Sequence, residues 1–555
     1  MRLLAILAIP AVAVLSATSC KDLQLTNPNA PDRDRAFTEG EDVETLIRGA
    51  FVNWWSVSHH SYPAAPFSSA ADAASVGWGN FGMQEFGREP REPFDNSPDY
   101  YRRYVAEWPW DASYAALTAV REGLRAVENG VRITDGHQDH TTRAVALGQL
   151  VQALSLSNLA VIFDKAFVVD ETTNLDSLQA VPYPEVWETA LEKYEAAIST
   201  ARSSAFTIPA AWVGGKASWS RDDFIGLARA FRARYRTQVP RSPAERAAVD
   251  WNAVLEDLAG GLPREFIVHY EGEDSPWWCR VKLHAGTHHM WARIDYRTVG
   301  PADVSGAWET WINAPPQEKL PFDIVTPDSR ITAPGDPEGA GTYVMHVGLS
   351  PWPDRYGVYH HSRYMDHRWL HLMVEQPGYV GDYPDFVDEE VDFLRAEAWY
   401  RLGRVDEAMD IVNRYRANGD LPPFSGLENP DPPERCVPQM PDGSCGDLWD
   451  AFKYEKRIEL YHYSFGTEFF DDRGWGDLVP GTLLHLPIPG RELRILMEEI
   501  YTFGGSEGGA APGGGITPDF LTDISPEGLH RKALAFRRYL EASRESIEPV
   551  RFRIP

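Results

Sequence analysis

Apolar residues recur along most of the chain at steps of three and four, the spacing that places them on one face of a helix. The clearest run is Val387, Val391, Leu394, Ala398 and Leu402, which Gly403 ends. Val405, Ala408, Met409, Val412 and Tyr415 make a second stripe before Asn418-Gly419. Asp406 and Glu407 stand where the first turn of a helix favours negative charge. Val387 to Arg416 therefore predicts two amphipathic helices joined by Leu402-Gly403-Arg404, with small Ala396, Ala398 and Ala408 where they meet. Such a hairpin cannot bury its face alone and needs further helix pairs stacked on it. The same spacing predicts helices over Glu44–Val57, Tyr100–Asn129, Thr141–Phe163, Pro184–Ala201, Asp222–Arg236, Asp250–Leu258 and Asp447–Phe465, and a short one after Pro526.

Paired helices of this kind read as tetratricopeptide-like. The expected fold class is all-α, a tetratricopeptide-like helical repeat body with a large irregular loop-rich ligand-facing region. Two stretches break the period. Ser58 to Ser97 holds Tyr62, Phe67, Trp78, Phe81, Phe86 and Phe94 among glycines and prolines, and long ordered loops of this kind are often functional. Arg264 to Asp385 is rich in Trp, Tyr, His, Pro and Gly. The chain then divides into a signal peptide (1–19), a lipidated N-terminus and tether (20–37), N-terminal helical repeats carrying the aromatic loop (38–263), an irregular insertion (264–385) and a C-terminal hairpin with the motifs below (386–555).

Composition narrows the partners. Among 555 residues, 81 Asp and Glu oppose 53 Lys and Arg, and a net charge of −28 disfavours nucleic acid and anionic membrane surfaces. Arg2 precedes an apolar run, Leu3 to Leu15, that is too short to span a bilayer and reads as an export signal. Ser16-Ala17-Thr18-Ser19-Cys20 resembles a bacterial lipobox, with Cys20 as the lipid anchor; an ordinary cleaved signal peptide is the alternative. In an exported chain Cys436 and Cys445 are close enough in sequence for one disulfide, with free thiols as the alternative, and Cys279 is left as a buried thiol.

Candidate chemistry points to binding. Acidic residues are too many for counting to single out a catalytic pair, and glycoside hydrolysis needs two carboxyls at a separation that sequence does not reveal. His59-His60, His288-His289 and His360-His361 lack the i, i+4 spacing that puts two ligands on one helical face, so polar loop packing is expected and no metal. Gly214-Gly215-Lys216 fails as a phosphate loop because Ala210 and Ala217 replace the residues it needs. The 19 Trp suit ring stacking on a ligand. Trp78-Gly79-Asn80-Phe81 and Trp291-Ala292-Arg293-Ile294-Asp295-Tyr296 mix flat rings with hydrogen-bonding groups, which makes Trp78, Asn80, Phe81, Trp291, Arg293 and Tyr296 the candidate ligand-binding residues. No catalytic residue and no cofactor is expected.

Four stretches together resemble the SusD/RagB family of outer-membrane nutrient-binding lipoproteins. They are Cys20 with Thr26-Asn27-Pro28-Asn29, Arg395-Ala396-Glu397-Ala398 with Asn413-Arg414-Tyr415-Arg416, Glu455-Lys456-Arg457-Ile458-Glu459-Leu460 with Phe470-Asp471 and Trp475-Gly476, and Pro487-Ile488-Pro489 with Glu492-Leu493. Phe465-Gly466-Thr467-Glu468 departs from the family pattern by a reversed charge, which puts a local ion pair in question. The resemblance implies a surface lipoprotein of the outer membrane that captures oligosaccharide or peptide and delivers it to a SusC-like TonB-dependent transporter, without catalysis. A surface glycan hydrolase and a non-catalytic envelope scaffold are the alternatives.

Overall fold

The computed structural model describes residues 39–505 except 60, 176–177, 273–274, 278–291, 351, 354–356, 359, 371–379 and 465. The signal peptide, Cys20, the tether and the short helix after Pro526 lie outside the described residues.

The longer helices are α1 (Gly40–His59), α2 (Ser61–Ala70), α3 (Tyr104–Glu128), α4 (Thr141–Ile162), α5 (Tyr183–Arg202), α6 (Arg221–Gln238), α7 (Trp251–Asp257), α8 (Asp388–Arg401), α9 (Val405–Arg416), α10 (Leu448–Glu459) and α11 (Thr467–Trp475). They form an all-α body of tetratricopeptide-like helix pairs in which α1 packs on α3, α3 on α4, α4 on α5 and α8 on α9. Most residues of the predicted stripes face the core. In α1 these are Ile47, Ala50, Phe51 and Trp54, with Leu46 only half-buried, and in α5 Val186, Ala190, Tyr194, Ala197 and Ile198. Each such large apolar side chain contributes about 1.5–3 kcal/mol over its exposed state. Helix α4 is long and apolar enough to cross a membrane, and the body buries it on nearly every side. Local capping sets the starts of two helices: Ser220 with Asp223 at α6, and Asp447 with Asp450 at α10, each form a reciprocal capping box.

Two local expectations change. Ser58 to Ser97 is not one aperiodic loop, because it contains α2, the strand Ala74–Val76 and the short helix Met83–Gly87. Helix α2 is surrounded by protein, so its sequence carries no polar face; it kinks at Tyr62 and contains Pro66. Helix α10 ends at Glu459 rather than Phe465. The organising hairpin also buries two faces instead of one. Val391, Leu394 and Ala398 enter the main core, while Val387, Phe393 and Ala396 enter a second core with Ile411, Val412 and Tyr415 of α9 and Phe452 of α10. Leu402, at the end of the predicted stripe, is 38% exposed. Gly403 makes the turn at φ 78°.

Between the helices, strands pair only in short two-stranded ribbons among the described residues. Phe266–Glu271 runs antiparallel to Val380–Phe386, which brings the two ends of the loop-rich stretch together. Cys436 and Cys445 are disulfide-bonded, with Cα atoms 5.7 Å apart.

Buried arginines tie distant segments. Arg246 reaches Glu397 of α8 at 2.6 Å and Asp471 of α11 at 2.9 Å, with its own side chain and that of Glu397 fully buried. Trp475 Nε1 donates to the same Glu397 carboxylate. Burial alone would raise the Glu397 carboxyl, but the charge and hydrogen bonds of Arg246 outweigh it and hold it at about 2. Arg330 likewise gathers Asp328, Glu455 and Glu459, and Arg234 gathers Asp385 and Glu390. The reversed charge at Glu468 makes no such pair among the described residues. Its carboxylate accepts the His462 N–H at 2.8 Å.

Two outcomes follow from these ions. Replacing Arg246 by Met leaves Glu397 and Asp471 buried without their guanidinium, an expected loss of about 3–5 kcal/mol in urea unfolding. Pairing Arg246→Met with Glu397→Gln recovers part of that loss, and an unchanged unfolding midpoint in the single variant would refute the role given to the network. At Glu468, burial pushes the carboxyl up to about 7, above its ordinary 4.5. The folded chain therefore holds this proton more tightly than the unfolded chain. Stability is fully present below pH 4.5 and is lost as pH rises through 7. Glu468→Gln gains on the parent across that window, approaching about 3 kcal/mol at pH 8 at 1.36 kcal/mol per pH unit. A difference that stays flat from pH 5 to 8 would show that the carboxyl is not raised.

Candidate functional site

The strand Ala74–Val76 pairs antiparallel with Ala292–Ile294, register Ala74 to Ile294, and all six residues are buried. A third segment closes on them. Val358 N–H donates to Val76 O at 2.9 Å, and Ser362 N–H donates to Ser75 Oγ at 3.1 Å. A Cβ at Gly357 would stand 1.8 Å from the Val76 carbonyl oxygen, so this approach requires glycine.

Arg293 fastens the frame. Its guanidinium donates to the carbonyls of Gly348 at 2.5 Å, Ser362 at 2.6 Å and Leu349 at 3.2 Å, and its side chain is fully buried. Tyr296 is also interior. Its hydroxyl donates to Phe322 O at 2.6 Å and accepts from Phe322 N at 2.8 Å, while its ring stacks on Phe322 with centroids 4.3 Å apart. The expectation that Arg293 and Tyr296 face a ligand is therefore corrected, since their surface and polar groups are taken up by the protein itself. Trp291 lies outside the described residues, as does the side chain of Asn80.

Trp78 emerges from this frame two residues after Val76. It is half-buried and tilts against half-buried Trp352 at 4.6 Å. Phe81, held at φ 53°, sets its edge against Tyr62 at 5.6 Å, and Tyr62 approaches Tyr104 at 6.4 Å. Tyr101 and Tyr104, at the entry to α3, are 43% and 44% exposed. Polar groups stiffen the arrangement. Arg102 donates to Gly79 O at 2.5 Å, and Gln84 to Gly357 O at 2.9 Å. The Arg102 guanidinium lies 5.0 Å from the Tyr101 ring centre, and that of Arg103 4.4 Å from the Tyr104 ring centre. Tyr101 donates its hydroxyl to Glu85; burial first, and Glu85 second, push that hydroxyl up to about 12, so it stays a neutral donor.

The result is a partly exposed aromatic face, Tyr62, Trp78, Phe81, Tyr101, Tyr104 and Trp352, with arginine and hydroxyl groups at its margin. Of the candidate residues, the structure places Trp78 and Phe81 on this face, together with Tyr101, Tyr104 and Trp352, which the sequence reading did not single out. The run Tyr100-Tyr101-Arg102-Arg103-Tyr104 was the available signal, since three tyrosines and two arginines exceed what a helix entry needs. Away from this face, an open groove of about 690 Å³ is walled by Leu46, Trp110, Tyr114 and Phe167 and contains none of the predicted site residues.

No protein-family model matches the chain, and no curated protein matches it. Among solved structures it is similar to a SusD superfamily protein from Parabacteroides distasonis at 11% identity, covering 82% of this chain and 97% of that one with a TM-score of 0.51. It is also similar to a SusD-like protein from Bacteroides fragilis at 13% identity, covering 80% and 87% with a TM-score of 0.50. The chain has the SusD-like fold.

Proposed function

We propose that this chain is a lipid-anchored binding protein of the outer-membrane surface, which captures oligosaccharide and delivers it to a SusC-like TonB-dependent transporter for import. A fold of this kind does not by itself specify a ligand, so the reading rests on the aromatic face. Flat rings stack on the apolar faces of sugar rings, while Arg103, Tyr101 and neighbouring backbone groups satisfy hydroxyls. Peptide is the alternative ligand, since the same rings suit apolar side chains. In this reading the role is binding rather than turnover, and Glu85, beside the tyrosines, serves to hold Tyr101 and Arg102 in place. Cys20 and the polar stretch to Arg35 supply anchor and tether in this reading.

Calorimetric titration against a glycan panel tests the ligand. Truncating a stacking ring that carries binding costs about 2 kcal/mol or more, so Trp78→Ala or Trp352→Ala binds roughly thirtyfold more weakly while melting close to the parent. Parent and variants that bind a glycan equally well would remove the aromatic face as its site, and a parent that binds peptides and no glycan would remove the carbohydrate assignment. Release of sugar from the panel would favour the hydrolase instead.

The anchor is tested separately in cells. Cys20→Ala moves the protein to the soluble fraction and abolishes labelling by a fatty-acid probe. A parent that takes up no label is not a lipoprotein.

A further inference from the structure

Beneath the aromatic face lies a cluster of buried groups that the ligand reading does not use. Asp72 precedes the strand leading to Trp78, Asp295 follows the paired strand, and His360 belongs to the third segment of the frame. All three are at most 3% exposed, and one potential ligand atom from each lies within 4.8 Å of the others. Asp295 Oδ1 caps the short helix Tyr296–Val299, and Asp72 Oδ2 accepts from Arg91 at 2.7 Å. Asp295 Oδ2, Asp72 Oδ1 and His360 Nδ1 are buried with no hydrogen-bond partner among the described residues. Orphaned polar atoms of this kind each cost about 1–3 kcal/mol, and a single cation between the two carboxylates would satisfy Asp295 Oδ2 and Asp72 Oδ1 together.

We infer that Asp72, Asp295 and His360 bind one divalent cation of the zinc class. His360 Nε2 and Asp295 Oδ2 are 3.2 Å apart, yet they are not aligned as a hydrogen bond. Two ligands held about 2.1 Å from one cation sit roughly 3.0–3.4 Å apart and point at the cation instead of at each other. Apart from the His360 contact, no ion pair reaches Asp295 among the described residues. Arg297 is directed to Glu89 at 2.8 Å and Asp72 at 3.5 Å, Arg91 to Asp72, and Lys319 to the carbonyls of Trp311 and Ile312. Arg91 on the second oxygen of Asp72 orients that carboxylate as an outer partner orients a metal ligand. Two carboxylates with one imidazole favour zinc or manganese over calcium, which takes oxygen ligands. The cation would bind together the three segments that carry Trp78 and Trp352.

The site stands apart from the ligand reading because its test measures metal alone. The full chain is stripped with EDTA, dialysed and titrated with ZnCl2, MnCl2 and CaCl2, with melting curves before and after. The expected result is one zinc per chain, a melting temperature lowered by EDTA and restored by zinc, and at least tenfold weaker zinc binding in Asp295→Asn and Asp72→Asn. These variants keep every histidine, so zinc held elsewhere on the chain is unaffected by them. If zinc binds parent and both variants alike, or if the stripped parent neither binds zinc nor changes its melting temperature, the cluster is not a metal site. Should one variant fold poorly, the other decides the outcome.

Discussion

The constraint on which the rest depends is the charge of Arg246 inside the protein. Hydrophobic stripes tell helices to pack, but stripes of Leu, Ala and Val tolerate sliding by a turn. An arginine that must meet Glu397 and Asp471 at once does not tolerate it. These residues lie 151 and 225 positions away in sequence, so one side chain fixes the register of α8 and α11 against the turn after α6. Arg234 and Arg330 repeat the device at the end and in the middle of the loop-rich stretch. Arg234 binds Asp385 where that stretch re-enters the body, and Arg330 joins it to Glu455 and Glu459 on α10. Ion pairs of this depth add little net stability compared with apolar replacements, so their value here is the specification of one arrangement.

This explains why the family-like motifs read as charged helices. Glu397, Glu455, Asp471 and Trp475 are conspicuous in the sequence as polar or bulky positions within helical runs, and they converge on the buried arginines. The partners were not legible, because Arg246 sits in a short proline-flanked helix with no pattern of its own. Pairing at such distance leaves no local trace. The helix pairs themselves were legible for the opposite reason: α1, α3, α4, α5, α6, α8 and α9 each bury an apolar stripe, and periodicity is a local property. Helix α2 escaped because it is buried all round.

The site was legible in part, and its errors have one cause. Arg293 and Tyr296 stood beside Trp291 in a mixture that resembles a binding loop, and nothing in that window reveals that Ala292–Ile294 pairs with a strand more than two hundred residues earlier. The same chemistry serves either role. A buried loop carries carbonyls that need donors, and Arg293 supplies three of them with one planar group. Such an arginine belongs to the scaffold however exposed its neighbourhood looks in sequence. Trp78 and Trp352 differ because the frame ends beneath them and leaves their rings partly uncovered.

That difference bears on affinity. An aromatic stack contributes about 0.5–1.5 kcal/mol beyond its buried area, and immobilising a mobile side chain on binding costs about 0.5–1.5 kcal/mol. A ring on a loose loop would surrender its whole contribution to its own ordering. Here the rings are ordered by the protein itself. Arg293 binds three carbonyls, Gly357 lets the backbone close on Val76, and Arg102 and Gln84 hold the segment from Gly79 to the 357 turn. A face prepared in this way keeps the weak attraction of each ring, and several weak attractions on one face then add to useful binding. The buried polar frame thus does for the loops what the arginine–carboxylate network does for the helices.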